Sequence, residues 1–105
     1  MHAPAILGAE VVSALRSMLR RGLLTAHAAE DALRGSTELR TRSYAFAPLA
    51  TRVWELRENV TVYDGWYVAL AEALDATLVT SDERLRRAAG PRCPVRSPAE
   101  IVAEP

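Results

Sequence analysis

Three carboxylates stand where helices begin or a strand ends: Glu10, Asp64 and Asp82. Glu10 heads an amphipathic stretch, and Asp64 falls in the first turn of another. Asp82 directly follows a compact apolar segment, residues 76–80. In an open α/β sheet, ligands gather beyond the carboxyl ends of the strands, and helix starts face the same rim. Carboxylates collected there repel one another unless a cation lies among them. Magnesium takes one or two carboxylates and completes its shell with waters and phosphate oxygens. Such a site polarises a phosphodiester and activates a water. Each residue also has a plainer use. Asp64 follows Thr61 at capping-box spacing, and Glu10 and Asp82 suit the positive end of a helix. The two uses are compatible, because one oxygen can cap while the other faces a metal.

The elements that must place these residues alternate between helix and short strand. Residues 3–7 are apolar around Pro4 and read as an edge strand or a loop into a helix. Val11, Leu15 and Met18 mark a helix over 10–21, closed by Gly22. Thr25 caps a second helix to about Arg34, which Gly35 and Ser36 end. Rough alternation over 39–46 predicts a strand. Pro48 opens a helix with a Leu49, Val53, Leu56 stripe, ending near Asn59. Thr61 caps the next helix, to about Leu74, with Tyr63, Tyr67, Leu70 and Leu74 on one face. Residues 76–80 form a strand, Ser81 and Asp82 open a short helix through Ala89, and 93–96 form a last strand. This order predicts an α/β layered fold with a mostly parallel sheet.

Composition sets the bounds. The chain has 105 residues, formal net charge zero and half its residues hydrophobic, which fits one globular domain. All 13 basic residues are Arg, a side chain that grips phosphate with two prongs. With no global basic field, any nucleic-acid contact must come from a local cluster. Arg84, Arg86 and Arg87 form one close to Asp82, as a solvated helix face or as phosphate contacts. A lone Cys93 excludes an intrachain disulfide and has no nearby His to activate it. His2 and His27 lie near no acidic pair that would make them zinc ligands. Trp54, Trp66 and Tyr67 read as core or interface residues. No signal peptide and no stretch of about 20 apolar residues is present, so a soluble cytoplasmic protein is expected.

Three segments resemble the acidic motifs of one family. Ala9-Glu10-Val11-Val12-Ser13-Ala14-Leu15-Arg16 resembles the second acidic motif of PIN domains. The run from Thr61 through Asp64-Gly65-Trp66-Tyr67 to Glu72 is similar to the third, which usually has Ala where Gly65 stands. Leu78-Val79-Thr80-Ser81-Asp82-Glu83-Arg84-Leu85 resembles the fourth. The resemblance implies a PIN-like three-layer sandwich and a ribonuclease using magnesium or manganese. In the VapC branch it implies a toxin that cleaves structured RNA and is inhibited by a cognate antitoxin. Glu10, Asp64 and Asp82 become the metal-binding carboxylates, with Thr80 in support. The family pattern opens with an apolar strand ending in Asp, which nothing ahead of Glu10 matches. The expectation is therefore an N-terminally truncated domain with weak activity and a tendency to self-associate as a homodimer.

Three functions compete on this footing. One is an RNA endonuclease. The second is a catalytically impaired PIN remnant that engages an antitoxin or dimerises. The third is an unrelated helical interaction protein whose acids only cap helices.

Overall fold

The computed structural model describes residues 2–39 and 41–103. They divide into two compact units, one through Tyr44 and one from Ala45.

In the first unit, β1 (His2–Pro4) pairs in parallel with β2 (Arg42–Tyr44), joined by α1 (Leu7–Arg20) and α2 (Ala26–Glu38). A helical crossover is what a parallel pair requires. The register sets His2 opposite Arg42 and Pro4 opposite Tyr44. The apolar start thus resolves as a strand and then a helix. That helix begins at Leu7, ahead of the predicted residue 10. It stops at Gly22, whose φ of 71° suits a residue without Cβ. There the Gly22 N–H donates to the Leu19 carbonyl at 3.1 Å and the Leu23 N–H to the Met18 carbonyl at 2.9 Å, the paired bonds of a left-handed helix stop. Thr25 caps α2 as expected, its Oγ1 accepting from the Ala28 N–H at 3.1 Å. The predicted stop at Gly35 and Ser36 does not occur. Ser36 Oγ and Thr37 Oγ1 donate back to the Leu33 and Arg34 carbonyls at 2.8 and 2.9 Å, so these hydroxyls are satisfied inside the helix. The strand predicted over 39–46 is cut to three residues, and Arg40 within it lies outside the described residues.

In the second unit, Pro48 sits in a short 3-10 turn (Ala47–Leu49) ahead of α3 (Ala50–Glu55). Next come α4 (Val62–Ala73), β3 (Leu78–Val79), α5 (Glu83–Arg87), β4 (Val95–Arg96) and α6 (Pro98–Ala103). Helix α4 buries Gly65, Val68, Ala69, Leu70 and Ala71, whereas Tyr63 and Leu74, predicted on the apolar face, are exposed. The reason is close packing against α3: a Cβ on Gly65 would lie 3.2 Å from Val53 Cγ1. Small residues must face that contact, which turns the bulky ones outward. Strands β3 and β4 pair in parallel, Leu78 opposite Val95. Leu56, Val68 and Leu85 form the core, with Val60, Leu78, Cys93 and Val95 packed on it. Helix α6 was not anticipated. It starts with a reciprocal cap in which Glu100 N–H donates to Ser97 Oγ and Ser97 N–H to Glu100 Oε1, both at 3.2 Å.

The fold class is α/β, and every pairing among the described strands is parallel. These strands make two separate pairs of two or three residues each. Among the described residues no helix is long and apolar enough to cross a membrane.

Candidate active site

Two of the three predicted carboxylates line one cleft of about 440 Å³ in the second unit, between residues 57–61, the first turn of α4 and the start of α5. The core beneath supplies the rigidity. Leu56 ends α3, Val68 faces inward from α4, and Leu85 belongs both to the core and to the cleft wall. The elements that carry the polar groups therefore share one apolar foundation.

Local capping fixes each acid. Thr61 is extended and its Oγ1 accepts from the Asp64 backbone N–H at 3.1 Å. The threonine performs the cap, and no hydrogen bond or ion pair among the described residues engages the Asp64 carboxylate, which is half-buried. Asp82 does cap: its Oδ1 accepts from the N–H groups of Arg84 at 2.9 Å and Leu85 at 3.4 Å. Its own N–H donates to Thr80 Oγ1 at 3.1 Å, so Thr80 shapes the turn that presents Asp82. Among the described residues the second oxygen of Asp82 makes no such bond. Capping and availability coexist on one side chain.

Glu10 lies half-buried in the first turn of α1, in the other unit. Among the described residues no three His, Cys, Asp or Glu side chains are grouped to hold a metal ion. The donor set of the cleft nonetheless fits a hard cation. It offers the carboxylates of Asp64 and Asp82, with Glu58 also on the lining, and open volume, and neither thiolate nor imidazole lines it. Magnesium or manganese suits such oxygen donors, while zinc prefers nitrogen and sulfur.

The arginine cluster separates by role. Arg86 is held by Glu83 at 2.7 Å and by Glu100 at 3.1 Å, and Arg87 reaches Glu83 at 3.5 Å. Arg84 lines the cleft, and so does Arg57. Arg57 escaped the sequence reading, although the spacing Trp54-x-x-Arg57 at a helix end is a readable cue for stacking. Its guanidinium lies 4.3 Å from the Trp54 ring centroid. Trp54, predicted as core or interface, is exposed. Trp66 does pack, edge-on against Phe46 with centroids 5.2 Å apart.

Other titratable groups serve structure. Glu72 accepts from Arg52 Nε at 2.6 Å, Arg52 Nη2 at 3.0 Å and the Arg92 N–H at 2.7 Å. The Arg52 hydrogen bond leads in holding its carboxyl below the ordinary range, against the opposing cost of burial. Burial, and then nearby Glu72, push the Cys93 thiol up, which suits a packed apolar residue rather than a nucleophile. His2 bonds Tyr44 Oη at 2.8 Å, and His27 lies 3.3 Å from Asp31.

Comparison with known proteins adds an independent line. The PIN domain family model matches residues 1–91. Ribonuclease VapC9 of Mycobacterium tuberculosis is 39% identical over 95 residues, covering 90% of this chain and 75% of that protein. Ribonuclease VapC1 of the same organism is 42% identical over 96 residues, covering 90% and 72%. Ribonuclease VapC3 is 40% identical over 88 residues, covering 84% and 64%.

Proposed function

The chain belongs to the PIN-domain family, and on that premise we propose that it is a metal-dependent RNA endonuclease, the toxin of a toxin–antitoxin pair. The observation that carries this reading is the cleft in which Asp64 and Asp82 lie together with Arg57 and Arg84. Asp64 and Asp82 would hold a magnesium or manganese ion, and the resemblance to the family's acidic motifs extends a metal-binding role to Glu10. A bound ion supplies Lewis-acid polarisation of a phosphodiester and lowers the pKa of a water. The chain's own residues do the rest. Asp64 keeps both oxygens for the ligand because Thr61 performs the cap. Thr80 and the α5 backbone hold Asp82 in one orientation. The arginines offset the negative charge that the substrate brings.

The substrate is RNA, the partner a cognate antitoxin, and the setting the cytoplasm, with a homodimer as the working assembly. One domain extends across both units, a reading supported by the span of the family match. A second reading, an impaired module that engages the antitoxin or dimerises, is favoured by the lack of a three-carboxylate group among the described residues.

The test is cleavage of a structured RNA by the purified chain with magnesium, with chelator, and in Asp82→Asn. Cleavage that needs magnesium and is lost in the variant supports the nuclease. Metal-independent cleavage, or full activity in Asp82→Asn, overturns it. Antitoxin binding without any cleavage selects the second reading.

A further inference from the structure

We propose that Arg57 is the phosphate-binding residue of the cleft, set in advance against the Trp54 ring to hold an RNA backbone phosphate beside Asp64 and Asp82. The proposal rests on the ribonuclease reading above.

Several arginines of this unit are matched by carboxylates. Arg52 donates to both Glu72 oxygens and to the Gly90 carbonyl. Arg86 and Arg87 are occupied by Glu83, and Arg86 also by Glu100. Arg57 is held differently. Its Nη1 donates to the Trp54 carbonyl at 2.9 Å, and its guanidinium stacks over the Trp54 ring. Both contacts order the group without neutralising it. Its ion-pair partner among the described residues is Glu58, with Oε1 3.8 Å from Arg57 Nε and both side chains open to solvent. An exposed pair at that distance is weak and screened by salt.

A guanidinium has five N–H donors in a fixed fork. One is used by the Trp54 carbonyl, which leaves a face able to grip two phosphate oxygens. Stacking on an aromatic ring is an established way of holding a guanidinium flat. The cost in exposed apolar surface is visible, since Trp54 is 65% exposed. The cleft itself calls for such a cation. Asp64, Asp82 and Glu58 would repel an incoming phosphate, so an ordered positive group at the wall is what lets a polyanion approach before any metal contact forms. Arg84, in α5, provides charge but has no comparable ring or carbonyl contact among the described residues.

The experiment measures binding of a fluorescein-labelled hairpin RNA by the full chain, in chelator so that cleavage does not interfere, over a series of salt concentrations. Arg57→Ala is expected to weaken binding about tenfold and to reduce the slope of log affinity against log salt by about one. Arg57→Gln keeps much of the stem but removes the charge, and should lose the same slope; it decides the matter if the alanine variant unfolds on heating. Arg57→Lys should keep the slope and lose part of the affinity, because the charge remains and the fork does not. Trp54→Ala should lower affinity with the slope unchanged, while Arg86→Ala should leave both unchanged. Folded Arg57→Ala and Arg57→Gln variants with the full salt slope overturn the proposal and leave the ribonuclease reading standing. A wild-type chain that binds no RNA overturns both.

Discussion

Glu72 and Asp64 stand near opposite ends of the same helix, α4, in opposite circumstances. Glu72 is closed: Arg52 takes both its oxygens, the Arg92 N–H adds a third bond, and Arg52 goes on to the Gly90 carbonyl. With side chains only 19% and 14% exposed, the Arg52–Glu72 pair ties α3, α4 and the turn at residues 90–92 into one body. Asp64 is open, because Thr61 performs its local duty and leaves the carboxylate to the cleft. A carboxylate whose oxygens are all matched by the protein has no capacity left for a ligand. One that the fold holds but does not satisfy is where ligand chemistry is to be sought.

The sharpest break of that contrast exchanges the consequences of losing each acid. Asp64→Asn should lower magnesium-dependent RNA cleavage by at least about a hundredfold, while thermal unfolding barely moves, since the Thr61 cap survives. Glu72→Ala should do the reverse. It leaves Arg52 partly buried without its partner, which costs roughly 2–4 kcal/mol and lowers the unfolding temperature by on the order of 10 °C. A Glu72→Ala chain as stable as the wild type would show that the pair is not an anchor.

The same pair predicts a pH dependence. The folded-state pKa of Glu72 lies below its ordinary value of 4.5. Its contribution is therefore complete above that ordinary value and is lost as pH falls through the lowered one. Denaturant titrations below pH 5 should show stability dropping with acid, and Glu72→Gln should flatten that part of the curve. Equal slopes in both proteins would remove Glu72 from the account.

Smaller effects belong to two glycines that frame the closed and open ends. Gly90 has φ of 107°, and an added Cβ would lie 2.8 Å from Asn59 Nδ2 and 3.3 Å from Leu56 Cδ2. Gly90→Ala should cost about 1–3 kcal/mol. It should also impair cleavage modestly, because Asn59 lines the cleft. Gly65→Ala sits near balance. Helix propensity favours Ala by up to about 1 kcal/mol, and the 3.2 Å approach to Val53 Cγ1 opposes it. We expect unfolding temperatures within a few degrees of wild type. A large loss would mean that α3 and α4 cannot give by a few tenths of an ångström.

What could be read in advance depended on whether the cause was local. Thr61, Thr25 and Gly22 act within a few residues of themselves, and their caps and stop are present as predicted. The placement of Asp82 after a strand is local in the same sense. The extension of α2 past Gly35 was not legible, because hydroxyls that bond back to the preceding turn look the same in sequence as hydroxyls that end a helix. The face of α4 was misread for a tertiary reason: close contact with α3 selects small residues, so the large apolar ones were a false guide. Helix α6 is marked locally, since Ser97-Pro98-Ala99-Glu100 spells its own capping box. The sorting of the arginines was not legible, because Arg57 and Arg84 are brought to one cleft only by the packing of Leu56, Val68 and Leu85.

The central claim is that Asp64 and Asp82 hold a divalent cation, and manganese binding tests it most directly. Titration of the purified chain with manganese, followed by calorimetry and by the paramagnetic signal of the free ion, needs no RNA and no assumption about the substrate. We predict saturable binding to the wild type, lost in Asp64→Asn and in Asp82→Asn, and unchanged in Glu72→Gln, whose carboxylate is already spoken for. Equal manganese binding by wild type, Asp64→Asn and Asp82→Asn would contradict the account.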